Sequence, residues 1–151
     1  MTYVKNLCYT NKDMEEIDIV RKYFSADKFV MGAGIEIVEV RKERAVVSAE
    51  IGERHLNATG TVQGGMLYTI ADFAFAVHAN YLHPVTVTQN GTITYVSACR
   101  GGRITATATE AHVSGRNTVC DVSVTDENDN VLCLCRFNGF IKPDDRSKYF
   151  G

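Results

Sequence analysis

An α+β architecture, with one antiparallel sheet of about six strands curled around one long central helix, is what this sequence predicts. Three observations carry that prediction. Six segments of alternating or near-alternating apolar residues are separated by short polar turns. One run, beginning after Gly64-Gly65, is apolar on almost every side of a helix through Met66, Leu67, Ile70, Ala71, Phe73, Ala74, Phe75 and Val77. A length of 151 residues, 45% hydrophobic and 23% charged, fits a single globular domain with one core of its own.

The elements follow in order. Residues 11–31 carry Met14, Ile17, Ile19, Val20, Tyr23 and Phe24 at helical spacing behind a cap at Asn11 or Asp13, and Gly32 and Gly34 end the unit. Residues 1–30 are therefore an N-terminal helical flank, 31–142 the core and 143–151 a tail of one domain spanning 1–151. Ile35, Ile37 and Val40 are set against Glu36 and Glu39, and residues 45–51 alternate again after the charged Arg41-Lys42-Glu43-Arg44, which reads as a hairpin. The long apolar helix stops at His83-Pro84, because the residue before proline is pushed out of the α region. Strands are expected at 85–96, 103–113, 118–126 and 131–142, with turns at Arg100-Gly101-Gly102, Ser114-Gly115-Arg116 and Asp129-Asn130. A helix apolar all round needs cover beyond one sheet face, so a homo-oligomer is expected.

Composition narrows the function classes. A net charge of −2 without a basic stripe argues against nucleic-acid and membrane-surface roles and favours a small-molecule partner. The five cysteines (Cys8, Cys99, Cys120, Cys133, Cys135) are an odd number and include no Cys-x-x-Cys pair, so they read as reduced thiols of a cytoplasmic protein. Cys133 and Cys135 share one strand face as packing residues, and the scattered histidines have no spacing that would hold a metal. The N-terminus lacks a basic region followed by an apolar run, and no apolar segment reaches membrane-spanning length uninterrupted.

Chemistry concentrates in one segment. His55-x-Asn57-x-x-Gly60-x-x-Gln63-Gly64-Gly65 is a polar loop ending at a helix start, and Asp72 follows about two turns into that helix. The first N–H groups of a helix are unpaired and carry the positive end of its dipole, so a polarised carbonyl can bind there. Periodicity alone leaves a plainer reading open: Thr69, Asp72, Ala76 and Asn80 form one stripe that can simply face water.

The same residues, with Val87-Thr88, Ile93-Thr94-Tyr95, Gly101-Gly102-Arg103 and Ser114-Gly115-Arg116 downstream, resemble the hotdog-fold acyl-CoA thioesterases of the PaaI-like, 4-hydroxybenzoyl-CoA thioesterase group. The resemblance covers roughly residues 30–142. It implies a hotdog fold, hydrolysis of an acyl- or aryl-CoA thioester, and a homodimer or homotetramer. Within it, Asp72 would be general base or nucleophile, the Gly64 N–H the oxyanion donor and Asn57 the orienter of carbonyl or water. Thr88 would position the water, in some members from the partner subunit. His55, Gln63 and Gly65 would line the substrate site. Apart from the resemblance, Arg100, Arg103, Arg116 and Lys142 are side chains of the kind that meets the phosphates of coenzyme A, beside the plainer reading of solvated loop charges. No metal or cofactor is implied, since coenzyme A arrives as part of the substrate.

One position departs from that family pattern. Gln63 stands where the group usually has histidine; an amide donates and accepts hydrogen bonds but does not titrate. That substitution keeps a second reading in play, a hotdog protein that binds or senses acyl-CoA without cleaving it. A hotdog dehydratase or hydratase fits poorly, because Gln63 and the placement of Asp72 do not supply its histidine and acid.

Overall fold

The computed structural model describes residues 11–83 and 85–143, with side chains from residue 16 onward. Two helices, α1 (Asn11–Phe24) and α2 (Lys28–Ala33), precede a hairpin of β1 (Ile35–Val40) and β2 (Ala45–Ile51). A 3-10 turn at Glu53–His55 leads to the long helix α3 (Gly64–Leu82), and β3 (Thr86–Tyr95), β4 (Gly102–Ser114), β5 (Asn117–Thr125) and β6 (Val131–Ile141) follow. The strands form one antiparallel sheet in the order β1-β2-β4-β5-β6-β3. Every expected strand is present, with ends within a residue or two of those read from the pattern. The side chains of Asn11 and Asp13, where a cap was expected, lie outside the described residues, as do Pro84 and the tail beyond residue 143.

Helix α3 packs against all six strands. The sheet curls around it because the residues facing it are graded in size. Ala45, Ala49, Ala106 and Ala108 bring β2 and β4 close, while Phe137 on β6 stacks on Phe75 with ring centroids 5.5 Å apart. Ile70, Ala74, Val77 and Ala79 have no exposure at all, as a helix enclosed on most sides requires. No described helix is long and apolar enough to cross a membrane.

The N-terminal flank differs from the single unit expected over 11–31. It breaks after Phe24, and Asp27 takes an extended conformation (φ −75°, ψ 93°) whose carboxylate accepts the Val30 N–H at 3.0 Å, starting α2 afresh. Gly34, at φ +73°, closes α2 in the left-handed conformation that favours glycine. This break lets Phe24 meet Phe73 of α3 edge-on at 5.3 Å, with Ile17 and Val20 buried alongside. Part of the cover that the sequence assigned to a second copy thus comes from the chain's own first helices.

The β1–β2 hairpin forms as expected, and a bulge at Val38 explains why Ile37 and Val40, an odd step apart, share the inner face. Glu39 lies on the outer face yet is only 3% exposed. Arg44 grips its carboxylate with two nitrogens at 2.9 and 3.0 Å, and Arg41 adds a third at 3.5 Å. Arg21 of α1 donates to the Ile37 carbonyl from Nε (3.2 Å) and Nη2 (2.9 Å), so this edge of the sheet is guarded.

The opposite edge, β3, is placed by Asn80. That side chain is 4% exposed, accepts the Thr86 N–H at 2.9 Å and donates to the Thr86 carbonyl at 3.1 Å. The register between β3 and β6 then slips by one residue between Thr88 and Asn90, leaving Gln89 extra. Thr88 lies before this bulge and Tyr95 after it; the odd step between them would put them on opposite faces of a regular strand, and the bulge turns both towards α3.

Phe24→Ala is expected to lower the unfolding free energy by about 3 kcal/mol, the usual range for a buried phenylalanine. Urea denaturation checks it: a loss below ~1 kcal/mol would mean that α1 is not part of the core.

Candidate active site

The site is built from the start of α3 outwards. Gln63 is the N-cap, in an extended conformation (φ −64°, ψ 135°), and its side-chain Oε1 accepts the Gly65 N–H. The Met66 N–H returns to the Gln63 carbonyl at 2.9 Å. Gly64 supplies the first N–H of the helix, which has no intrahelical acceptor and lies at the positive end of the dipole. Of the two glycines, Gly64 is therefore the one whose N–H is presented to a ligand; the Gly65 N–H expected to help bind substrate is already used.

Tyr95 completes this clamp. Its hydroxyl donates to the Gly64 carbonyl at 3.0 Å, so the Gly64–Gly65 peptide is held at its C=O by Tyr95 and at its N–H by Gln63. A Cβ on Gly64 would fall 2.9 Å from Tyr95 Oη, and one on Gly65 would fall 2.6 Å from Gln63 Oε1. Both positions are glycine because both clamping groups approach that closely. Tyr95 is among the residues that carry the resemblance, but neither pattern nor resemblance assigned it a role in the site; it sits exposed on an edge strand.

Asp72 lies two turns further on and is half-buried. Thr88 Oγ1 donates to its Oδ1 at 2.8 Å, within one chain. Burial pushes the Asp72 carboxyl above the ordinary aspartate range; the Thr88 hydroxyl opposes that by favouring the anion, and Asp27 adds a smaller upward push. The stripe of Thr69, Asp72, Ala76 and Asn80 is not a solvated edge, since Asn80 is buried and Asp72 is engaged by β3. At 1.5 Å of rise per residue, Gly64 and Asp72 of one chain stand about 12 Å apart along the helix.

The remaining expected residues fall into distinct places. Asn57 is tied into its own loop: Oδ1 accepts from the Thr59 N–H (2.9 Å), the Thr61 N–H (3.2 Å) and the Thr59 hydroxyl (2.8 Å), while Nδ2 donates to Thr61 Oγ1 at 2.9 Å. It nevertheless lines a cleft of about 380 Å³ that also includes Gly64 and Tyr95, and one of its two amide hydrogens is left to give. His55 is 6% exposed, with Nδ1 accepting the Gly52 N–H at 3.0 Å and Nε2 facing the Ala33 carbonyl at 2.8 Å. Nδ1 thus closes the 3-10 turn on its own cap and Nε2 ties the turn to the end of α2, so His55 shapes the site with both ring nitrogens engaged.

Arg103 and Arg116 are not at the helix start. Arg103 points to the outer face of the sheet, where Nη1 donates to Ser48 at 2.8 Å and Nη2 pairs with Glu50 at 2.8 Å. Ile104, next to it, faces the core, so strand alternation sends Arg103 away from α3. Arg116 lies in the β4–β5 turn beside Ile141, at the end of the sheet where β3 begins, whereas Gly64 lies beside Tyr95 at the end of β3. Arg100 tethers the Asn57 loop through the Thr59 and Gly60 carbonyls. Among the described residues no cluster of three or more His, Cys, Asp or Glu side chains could hold a metal ion.

The sequence pattern of the Thioesterase superfamily matches residues 59–133, which span the helix start, Asp72, Thr88 and Tyr95. The chain is also similar to 1,4-dihydroxy-2-naphthoyl-CoA hydrolase of Listeria monocytogenes, with 31% identity over 106 residues, 68% of this chain and 86% of that protein. This chain belongs to the thioesterase superfamily. The acyl-coenzyme A thioesterase PaaI of Escherichia coli is 27% identical over 114 residues, covering 75% of this thioesterase and 81% of its relative. The solved structure of E. coli PaaI superposes with a TM-score of 0.80 over 86% of this chain and 95% of that one at 24% identity, which establishes the shared hotdog fold. The thioesterase is thus a thioester hydrolase of the PaaI-like group.

Tyr95→Phe keeps the ring beside Gly64 and removes the bond to its carbonyl. The expected outcome is a fall in kcat of about tenfold with KM changed less than twofold, because a looser helix start stabilises developing charge less well. Steady-state thiol release measures it; an unchanged kcat would show that the Gly64–Gly65 peptide needs no support from Tyr95.

Proposed function

We propose that this thioesterase hydrolyses acyl-CoA thioesters, with Asp72 and Thr88 acting on the nucleophile and the Gly64 N–H on the carbonyl. One observation carries the reading: a half-buried carboxylate already gripped by a hydroxyl, on the same helix whose first N–H is open to a ligand. The thioester oxygen accepts the Gly64 N–H, and charge that builds on it in the tetrahedral intermediate is favoured by the helix dipole. In one course Asp72 takes a proton from water as the water oxygen bonds to the acyl carbon; the C–S bond then breaks and the thiolate of coenzyme A takes the proton back. In the other, Asp72 attacks the acyl carbon itself, the thiolate of coenzyme A leaves, and water opens the mixed anhydride at the Asp72 carboxyl carbon or at the acyl carbon. Label in Asp72 after a single turnover in ¹⁸O-water marks the first opening, and a peptide carrying acylated Asp72 after rapid quench marks the anhydride whichever carbon water attacks. Neither course needs a cofactor, and coenzyme A enters as substrate.

Departure from histidine at position 63 is compatible with this chemistry. Gln63 acts through its oxygen on the Gly65 N–H, a task that requires an acceptor and no titrating group. The 12 Å separation noted above argues further for a second copy. A homodimer, alone or paired into a tetramer, can set the Gly64 of one subunit against the Asp72–Thr88 pair of the other. Strand β3 is the suitable seam, because it is the sheet edge that lacks a guard like Arg21 and its residues from Val87 to Asn90 are exposed. Thr88 then comes from the same subunit as Asp72, and the division falls between that pair and the helix start. The free thiols at Cys99, Cys120, Cys133 and Cys135 support a cytoplasmic setting.

Asp72→Asn should abolish thiol release from a panel of aryl and aliphatic acyl-CoAs while the esters still bind; equal thiol release by variant and wild type would remove Asp72 from the chemistry. Mixing Asp72→Asn chains with Gly64→Val chains should restore about a quarter of wild-type activity, since half the dimers are mixed and each mixed dimer holds one intact site. A mixture as dead as its parents would place Asp72 and Gly64 of one chain in the same site and end the shared-site arrangement.

Activity should require the Asp72 anion, so the acid limb of kcat/KM is expected above the usual carboxylate range. Thr88→Val removes a donor that favours the anion, and the limb should move to still higher pH. A pH–rate profile in which that limb stays put or moves down would remove Thr88 from the site.

A further inference from the structure

A cleft of about 590 Å³ opens between α2 and the first two turns of α3, on the other side of the helix start from the cleft that Asn57 and Tyr95 line. Its walls include Phe29 and Gly32 from α2, Leu56, and Gln63, Met66 and Thr69 from the α3 side. The volume is that of an ordinary small-molecule site. Its polar side chains are mostly turned to the protein itself: Thr69 Oγ1 donates to the Gly65 carbonyl at 2.7 Å, Gln63 Oε1 holds the Gly65 N–H, and both nitrogens of His55 are engaged. What remains for an occupant is chiefly carbon, including Phe29, which is 75% exposed.

Gly32 adds an independent observation. It sits inside α2 without a positive φ, so its backbone does not call for glycine, and a Cβ there would meet nothing within 4 Å. Alanine would favour the helix. Gly32 is one of the residues that line the cleft, so the space its missing side chain leaves open adjoins it.

We propose that this cleft receives the apolar acyl group of the substrate, and that Gly32 and Phe29 of α2 set which acyl groups fit. The inference rests on the acyl-CoA reading above. A thioester carbonyl at the Gly64 N–H has two arms, and two clefts meet at the glycine pair. The cleft with the carbon-rich wall suits the acyl arm; the narrower one, lined by Asn57, Thr61, Ser97 and the exposed chain at Val96 and Ala98, suits the amide-bearing pantetheine arm. Lys28 and Arg54 also border the larger cleft, but the phosphates of coenzyme A are held far from the thioester by the whole pantetheine arm.

The test compares octanoyl-CoA with acetyl-CoA in the wild type, Gly32→Leu, Phe29→Ala and Ala98→Leu. Gly32→Leu fills the cleft and should lower the ratio of kcat/KM for octanoyl-CoA over acetyl-CoA at least tenfold; Phe29→Ala removes a wall and should lower it about threefold. Gly32→Ala, with a Cβ in open space, controls for folding by its thermal melt. In parallel, calorimetric titration with the non-hydrolysable thioethers S-octyl-CoA and S-methyl-CoA should show tighter binding of the octyl compound by wild type and loss of that preference in Gly32→Leu. An unchanged ratio in Gly32→Leu would overturn the proposal. So would a ratio lowered by Ala98→Leu alone, or equal weakening of both thioethers, which would put the coenzyme A arm in this cleft. If wild type released no thiol from either ester, hydrolysis would be refuted, while the octyl preference and its response to Gly32→Leu would still decide the acyl site.

Discussion

Nearly everything in this protein is arranged around the enclosure of α3. A helix with Ile70, Ala74, Val77 and Ala79 shut off from solvent has few places for polar groups, and each polar group it carries must be met by a particular neighbour. Asn80 is met by the backbone of Thr86, Asp72 by the hydroxyl of Thr88, and the first peptide of the helix by Tyr95 and Gln63. His78 is the exception among the described residues: it is fully buried and neither ring nitrogen has a partner. Burial lowers its pKa, which keeps the ring neutral and so limits the cost. The sheet is therefore more than a wrapper; through β3 it supplies the groups that make α3 chemically useful.

The division of labour along α3 follows from the same enclosure. A helix start is electrostatically suited to an oxygen that gains negative charge, whereas a general base or nucleophile needs a raised pKa, which burial two turns deeper provides for Asp72. The two requirements conflict if placed at one point, because the positive helix end would pull a carboxylate's pKa down. Separation along the helix resolves the conflict within the chain, and the proposed assembly across β3 would bring the halves back together. The amide at position 63 fits this scheme, since its work is to fix a peptide and not to carry a proton.

Much of this was legible in the sequence, for identifiable reasons. The six strands and α3 were visible because alternation and all-round apolarity are direct imprints of what each face touches. The break at residues 25–27 was hidden, since Val30 and Met31 continue an apolar pattern that Asp27 interrupts only by capping a new turn. Asp72 was visible as a polar residue in an apolar run, yet periodicity placed it on a wet stripe; only the resemblance gave it a role, and only the position of β3 gave it Thr88. A residue type suited to ligands says nothing about which neighbours have already taken its hydrogen bonds: His55 borders the cleft at the helix start with both ring nitrogens engaged, and Arg103 is paired with Ser48 and Glu50 on the outer face of the sheet. Tyr95 was missed for the opposite reason, as an exposed tyrosine on an edge strand shows no sign of the helix end beneath it.

The extra residue in β3 has a consequence for how this chain can vary. Thr88 and Tyr95 serve opposite ends of the helix, and at their odd spacing both point inwards because one bulge lies between them. Substitutions at Gln89 or Asn90, whose side chains are exposed, leave that spacing intact. Loss of Gln89 would remove the bulge and the odd step together, leaving a regular ladder in which the carboxylate keeps its hydroxyl and the helix start its phenol. The bulge thus holds one residue in reserve, so this edge can shorten by that residue without turning either side chain outwards.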